Sequence, residues 1–255
     1  MVDDVAARVE SMGGLAKGLR IIELFGSDRP RLTLSEAAEA TGITPASARR
    51  CLLTLEALGY LTHDGKFFRP TPRLARLGAP YDSASPLPML AQPFLEAVRD
   101  DTGESASLAV LDGDDMLFVA RAESARIVSL GGRVGGRLPT TGSATGRVLL
   151  ASLPDDELER RLVLAHPAAS TEHTLVTIDD IRRRVLQARA EDAAITSEEL
   201  EIGVNTMAVP VRDSRGRVHA AMSLAVLASR ASVETMRDTF LPILRRESAR
   251  LGEML

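Results

Sequence analysis

One cysteine, Cys51, in 255 residues excludes an internal disulfide and any cysteine-built zinc site. The four histidines, His63, His166, His173 and His219, fall at no zinc-ligand spacing and in no HExxH frame. No apolar run approaches the roughly 18 uninterrupted residues of a membrane-spanning helix, so no membrane partner is expected. The opening MVDDVAARVE is acidic and lacks the basic region and apolar stretch of a secretory signal. The cytoplasm is therefore the expected compartment. Motifs for nucleotides and nucleophiles are missing too. GSATG is followed by Arg147-Val148, where a phosphate loop needs Lys and then Ser or Thr. No GxGxxG follows a strand, and Ser143 has no GxSxG frame. Without a nucleophile–base pair, a metal-ligand set or paired carboxylates, the chain reads as a non-enzyme with no cofactor. Internal repeats and low-complexity tracts are absent.

What is there is ordinary globular composition, 45 % hydrophobic and 26 % charged, with length enough for one large domain or two ordinary ones. The net charge of −4 argues against nucleic acid, but its distribution does not. Residues 15–80 carry ten Lys and Arg against six Asp and Glu, an excess of +4. Residues 81–255 carry twenty against twenty-six, an excess of −6. A basic head on an acidic body suits DNA contact at one end. The excess is small, so specific affinity calls for several heads acting together.

The stretch from Leu32 to Leu61, LTLSEAAEATGITPASARRCLLTLEALGYL, organises the head. Thr33 with Glu36 forms a capping box, and Gly42 ends the helix it opens. Thr44-Pro45 starts a second helix, with Thr as N-cap and Pro at the first position. On that helix Ala48, Cys51, Leu52, Leu55 and Leu58 share one face, and Cys51 reads as a buried, inert thiol. Ala46, Ser47, Arg49, Arg50 and Thr54 lie off that face. Leu15, Leu19, Ile22 and Phe25 give an earlier helix one apolar side to pack beneath these two. Asp64-Gly65 then joins two short strands, 60–63 and 66–69, as a tight hairpin turn. Helix, Gly-containing turn, helix and hairpin make a winged helix-turn-helix; the plain alternative is an αα-hairpin beside a β-hairpin. Residues 71–78 suit a short helix, and the Pro- and Ser-rich stretch 79–88 a boundary.

Beyond it, helices and strands follow one another outside βαβ order, which predicts an α+β domain with a mainly antiparallel sheet. A helix reaches Asp101, begun before Pro93 with a local kink or break at that proline. Residues 105–111 and 116–120 form a hairpin around Asp112-Gly113-Asp114-Asp115, and 127–130 is a third strand. The stretch 131–142 is loop. Helices cover 143–151, 154–165 and 177–192, strands 193–196, 206–211 and 218–226. Ser232 caps a last helix that Pro242 interrupts.

Motifs from both halves, in order, now carry a resemblance: TLSEAAEATGITPASARRCLLTLEALGYL, the wing with FFRPTPR, GGRVGGRLPTTGSATGRVLLA, and EELEIGVNTMAVPVRDSRGRVHAAMSLAV. The chain resembles the IclR family of bacterial transcriptional regulators over about residues 15–250. Within that family it is most similar to the regulators of protocatechuate and β-ketoadipate aromatic catabolism. The resemblance implies a winged helix-turn-helix head at 15–78, a linker at 79–92 with a linker helix, and a GAF-like effector-binding and oligomerisation domain at 93–255. It implies a homodimer, or a dimer of dimers, on a palindromic double-stranded operator, released or tightened by a small organic acid; such a protein is nucleoid-associated when bound.

Carried over residue by residue, the DNA-binding side is Ser47, Arg49, Arg50 and Thr54 on the recognition helix, with Lys66 and Arg69 in the wing. Arg can bond guanine O6 and N7 bidentately, and Ser a phosphate or base edge. The effector pocket falls on Ala144, Thr145, Thr196, Thr206, Ser223 and Ala225. Thr196 stands where an acid is frequent in the family, and Ala225 where a second serine is. The loss of a carboxylate and a hydroxyl points away from glyoxylate or pyruvate and toward a different, larger acid. Strand period two places His219, Ala221, Ser223 and Ala225 on one face. Arg133, Arg137 and Arg147 could bring a cation to the effector, although loop arginines more often face solvent. Glu198, Glu199 and Glu201 read as a solvated run. Two other classes stay open: a small-acid sensor acting on a protein partner, and an enzyme whose N-terminal domain only dimerises.

Overall fold

The computed structural model of the chain describes residues 12–26, 29–78, 85–124 and 132–255. The chain divides into two compact units, 1–84 and 85–255. In the first, α1 (Gly13–Glu23), α2 (Leu34–Thr41) and α3 (Pro45–Ala57) are followed by a hairpin of β1 (Leu61–His63) and β2 (Phe68–Pro70). The caps are those the sequence specifies. Thr33 Oγ1 accepts from Glu36 N–H, and Glu36 Oε2 accepts from Thr33 N–H at 2.7 Å. Gly42 takes the left-handed conformation, φ 65°, that closes α2. Thr44 Oγ1 accepts from Ser47 N–H ahead of Pro45. Three alanines, Ala37, Ala38 and Ala48, let α2 and α3 approach closely over Ile21, Leu52, Leu55, Leu61 and Phe68.

Two expectations about the packing and the wing of this unit fail, as does a third, that Cys51 is enclosed. The buried side of α1 is centred on Ile21, while Leu15 and Leu19 are exposed, as is Leu58 at the end of α3. A period-3.6 reading cannot tell which of two neighbouring apolar stripes meets the core. The wing turn is also longer than Asp64-Gly65. Pairing begins at His63 and Phe68 because the Asp64 carboxylate accepts from both Lys66 N–H and Phe67 N–H, folding four residues into the turn.

The second unit is a six-stranded antiparallel sheet in the order β5-β4-β3-β8-β7-β6. Its strands are β3 (Ala106–Asp112), β4 (Asp115–Ala122), β5 (Arg137–Pro139), β6 (Ala194–Ser197), β7 (Val204–Arg212) and β8 (Val218–Leu227). One face packs on α4 (Leu87–Thr102) through Ala91, Leu95 and Val98, and on the C-terminal helix, Leu241–Gly252, through Leu244 and Leu251. Leu87 and Ala91, inside the stretch read as linker, belong to this core, and α4 runs on through Pro93. The other face is floored by alanines, Ala109, Ala194, Ala208 and Ala221, against α5 (Ala144–Ala151). α6 (Asp155–Leu164) and α7 (Ile178–Glu191) pack outside α5 through Leu150, Leu158, Leu162, Ile181 and Val185.

The segment read as loop, 131–142, contains the edge strand β5, because Leu117 to Asp115 offer it a free edge. The proposed strand 127–130 lies outside the described residues. Near the C-terminus Ser232 does cap, but only a turn, Val233–Thr235; a π-helical turn, Met236–Phe240, precedes α8 (Leu241–Gly252) with Pro242 in its first turn. Proline has no N–H for a bond to residue 238, so the ladder widens ahead of it.

Candidate nucleic-acid interface and small-molecule cavity

The head's exposed candidate cations lie on α3 and in the wing. Arg49, Arg50 and Thr54 are exposed on α3, and Ser47 is half-buried near its start. Ser47 Oγ accepts from Thr44 Oγ1 at 3.1 Å, and Thr54 Oγ1 donates to the Arg50 carbonyl at 2.8 Å, so both hydroxyls are partly engaged by their own helix. Ser47, Arg50 and Thr54 form one stripe that borders an open groove of about 720 Å³ with Leu15, Leu19, Leu58 and Leu77. Cys51 lies in the same groove, half-buried, with Sγ 4.0 Å from the Gly14 carbonyl, and is not the enclosed core thiol expected.

In the wing, Lys66 is exposed with Nζ 5.0 Å from the Phe67 ring centroid. Arg31 stacks on the same ring at 4.0 Å, a third cation there that sequence reasoning missed because it precedes the motif. Arg69 pairs with Asp64 at 3.4 Å. The Phe67 and Lys66 N–H groups, with Arg69, hold the Asp64 carboxyl below its usual range. Part of the Arg69 charge is therefore already answered inside the wing.

In the second unit the register assembles a polar patch on the α5 side of the sheet. Thr196 pairs with Thr206 and Thr206 with Ala225, and directly paired residues share a face. The Thr196 and Thr206 hydroxyl oxygens stand 2.6 Å apart. Ser223, two residues before Ala225 on β8, faces the same way, since its partner Ala208 packs against α5. His219 does not complete the row: a register shift at Val211/Arg212 precedes it, and its Nε2 lies 2.9 Å from Asp213 Oδ2.

Thr206 and Ala225 line a cavity of about 450 Å³ whose other walls include Leu138, Thr141, Gly142, Thr174, Leu175 and Leu200. Thr196 reaches it through Thr206. Ala144 and Thr145 are buried at the start of α5 and are not among the cavity walls; Thr141 and Gly142 of the preceding 3₁₀ turn stand there instead. That turn is pressed onto α5 at Gly146, where a Cβ would fall 2.2 Å from the Thr140 carbonyl oxygen. Gly146→Ala would push the cavity wall off its helix.

Four charged residues of this unit add to or depart from the sequence reading. Arg147 is 2 % exposed, and its Nη1 and Nη2 donate to Glu199 Oε1 and Oε2 at 2.8 and 2.5 Å. Neither is solvated: Arg147 is a helix residue, and Glu199 returns from 52 positions away to meet it. Arg137 is exposed but committed to Asp112 and Asp115. Arg121 was missed. Its side chain is 5 % exposed on β4, and Nη1 donates to Ser107 Oγ at 2.9 Å. Ser107 pairs with Ser223, so this guanidinium lies under the same face as the hydroxyl patch. An arginine inside the apolar run MLFVARA was the available signal.

The helix-turn-helix model of the IclR family matches residues 14–65, and the model for the C-terminal part of IclR transcriptional regulators matches 81–251. The Pca regulon regulatory protein of Pseudomonas putida is 37 % identical, over 96 % of this chain and 84 % of that protein. The p-hydroxybenzoate hydroxylase transcriptional activator of Acinetobacter baylyi is 35 % identical, over 96 % and 92 %. Among solved structures, a transcriptional regulator from a Rhodococcus species superposes with a TM-score of 0.82 at 39 % identity, covering 95 % of this chain and 98 % of that one. An IclR homologue from Microbacterium hydrocarbonoxydans, complexed with 4-hydroxybenzoate, does so with 0.79 at 27 %, covering 94 % and 98 %.

Proposed function

This chain belongs to the IclR family of bacterial transcriptional regulators, and from that premise we propose how its two units divide the work. The head (15–78) binds the operator and the body holds an aromatic or similar small organic acid that switches it. Arg49 and Arg50 meet base edges in the major groove, Ser47 and Thr54 supply nearby hydroxyls, and Lys66 and Arg69 hold phosphates from the wing. Exposure of both arginines on a helix capped by Thr44 and started by Pro45 carries this reading.

The acid enters the cavity walled by Thr206 and Ala225. Thr206 offers its hydroxyl in the wall, Thr196 and Ser223 back it from the same sheet face, Ala144 and Thr145 lie behind the Thr141–Gly142 turn at the start of α5, and Arg121, paired with Glu123, stands on that face as well. A cavity of about 450 Å³ walled by Leu138, Leu175, Leu200, Thr141 and Thr206, with a threonine at 196 and, among the described residues, one acidic wall residue, Glu201, suits a ring bearing a carboxylate better than a two- or three-carbon acid. A second copy of the chain packs on the exposed apolar side of α1, at Leu15 and Leu19, giving two heads in successive major grooves about one helical turn apart. The acid favours one arrangement of the bodies and so shifts the spacing of the heads. Such a protein works in the cytoplasm, uses no cofactor and has no turnover of its own.

The test is a gel shift on the DNA upstream of its own gene, with and without 4-hydroxybenzoate, over a salt series. Binding should weaken with a log–log slope near −0.9 per phosphate neutralised. A flat salt response, or equal affinity for operator and scrambled DNA, rejects the reading and leaves a sensor of protein partners.

A further inference from the structure

The body has a second cavity that the reading above does not use. It holds about 360 Å³ and lies along β6, the edge strand opposite β5, between α7 and the start of the C-terminal helical segment. Its apolar lining includes Leu175, Ala188, Ala194, Ile195 and Val233. Its charged lining sets Arg147, Arg184, Arg237 and His173 against Glu191 and Glu199. With His173 neutral the wall is one positive charge in excess.

Both carboxylates are already occupied. Glu199 accepts from both terminal nitrogens of Arg147. Glu191 accepts from Gln187 Nε2 and from Arg237 Nη1. Gln187 and Arg237 hold the Glu191 carboxyl below its usual range. At the mouth, Arg184 spends one N–H on Gln187 Oε1. Arg147 lines the cavity while only 2 % exposed, and its enclosed Nε–H has no acceptor among the described residues. A buried donor of a charged group left without an acceptor is costly, and ligands or ordered water normally satisfy it.

We infer that this cavity is a second small-molecule site, selective for a monocarboxylate with an apolar body. One carboxylate oxygen accepts from Arg147 Nε–H, the charge is balanced by Arg184 and Arg237, and the hydrocarbon lies on Leu175, Ala194 and Ile195. The volume is within the range of small-ligand pockets, which combine apolar walls with a few placed polar groups. A dicarboxylate would bring one charge too many past Glu191 and Glu199. The site stands apart from the first: Leu175 is the one residue that both walls share, and Thr206 and Ala225 belong to the other.

Benzoate titrated into the full chain by calorimetry should bind at two molecules per chain. Arg184→Gln with Arg237→Gln should remove or weaken one of them at least tenfold, and Thr206→Val should act on the other alone. The wild-type protein gives an independent readout in the Nε–H resonance of Arg147, identified by through-bond correlation. It should shift on addition of benzoate and stay in place with succinate or sodium chloride at matched ionic strength. A single benzoate lost with Thr206→Val and untouched by the arginine pair overturns the proposal. So does an Arg147 Nε–H that is unmoved at saturation or moves equally with chloride. A single benzoate lost only with the arginine pair supports this site and rejects the aromatic-acid assignment of the other cavity.

Discussion

The two units are built by different rules. In the head, each helix is set by residues three or four apart: Thr33 with Glu36, Thr44 with Ser47, Gly42 at the stop. The residues proposed to meet base edges fall within eight positions of one helix, 47–54, with the wing residues Lys66 and Arg69 a short hairpin away. In the body, the corresponding chemistry is spread from Thr141 to Ala225 and exists only once β6, β7 and β8 are in register. A site made by one helix tolerates changes elsewhere in the chain. A site made by strand pairing depends on every contact that fixes the register.

Glu199→Ala should test that contrast most severely. It leaves the Arg147 guanidinium buried without its partner, a change that typically costs about 3–5 kcal/mol. Chemical unfolding should show the body's transition moving to lower denaturant while that of the head stays. Equal movement of both would show that the units do not fold independently. Arg50→Ala is the opposite kind of change, exposed and local. It should leave stability alone and cost about 1–3 kcal/mol on the operator, with less loss on scrambled DNA. Lys66→Ala should weaken both DNAs alike and flatten the salt slope by about one. Electrophoretic mobility on the two duplexes separates the cases; equal loss for Arg50→Ala would remove it from base readout.

Thr33→Ala takes away the capping box and should destabilise the head by about 1 kcal/mol, visible as a shift of its melting transition alone. The smallest effect concerns acid. Arg160 and Arg161 hold the Glu157 carboxyl down from 4.5 to about 2. A carboxyl whose folded value is depressed stabilises the fold above its unfolded value, and that contribution fades as pH falls from about 4.5 toward 2. Glu157→Gln should therefore lower the body's stability slightly at neutral pH and by progressively less toward pH 2. Circular dichroism melts across that range would expose a difference that fails to shrink.

The head was readable because its signals are short-range. Capping box, proline start, left-handed glycine and off-face arginines each need only neighbours in the chain. Reading failed there where tertiary contact had to choose, as between Ile21 and the Leu15–Leu19 stripe, or between a two-residue and a four-residue wing turn. In the body the helices and most strands were legible from caps and alternation, including the Asp112–Asp115 hairpin. Three features were not. β5 is three residues long and pairs only because β4 has a free edge. Glu199 looks like its exposed neighbours Glu198 and Glu201 until Arg147 is placed beside it. Arg121 sits in a strand, where period two says which side it takes but not what waits there.

By itself the sequence determined the local geometry of this protein: where its helices begin and end, which half is basic, and which residues of α3 can leave the core. Those follow from backbone hydrogen bonding and charge within a few positions. Only the tertiary structure decided the partners: Thr196 with Thr206, Ser107 with Arg121 and Ser223, Arg147 with Glu199. The physical reason is that a buried polar group takes its meaning from what satisfies it, and in this body the satisfying atoms come from strands and loops that are distant along the chain.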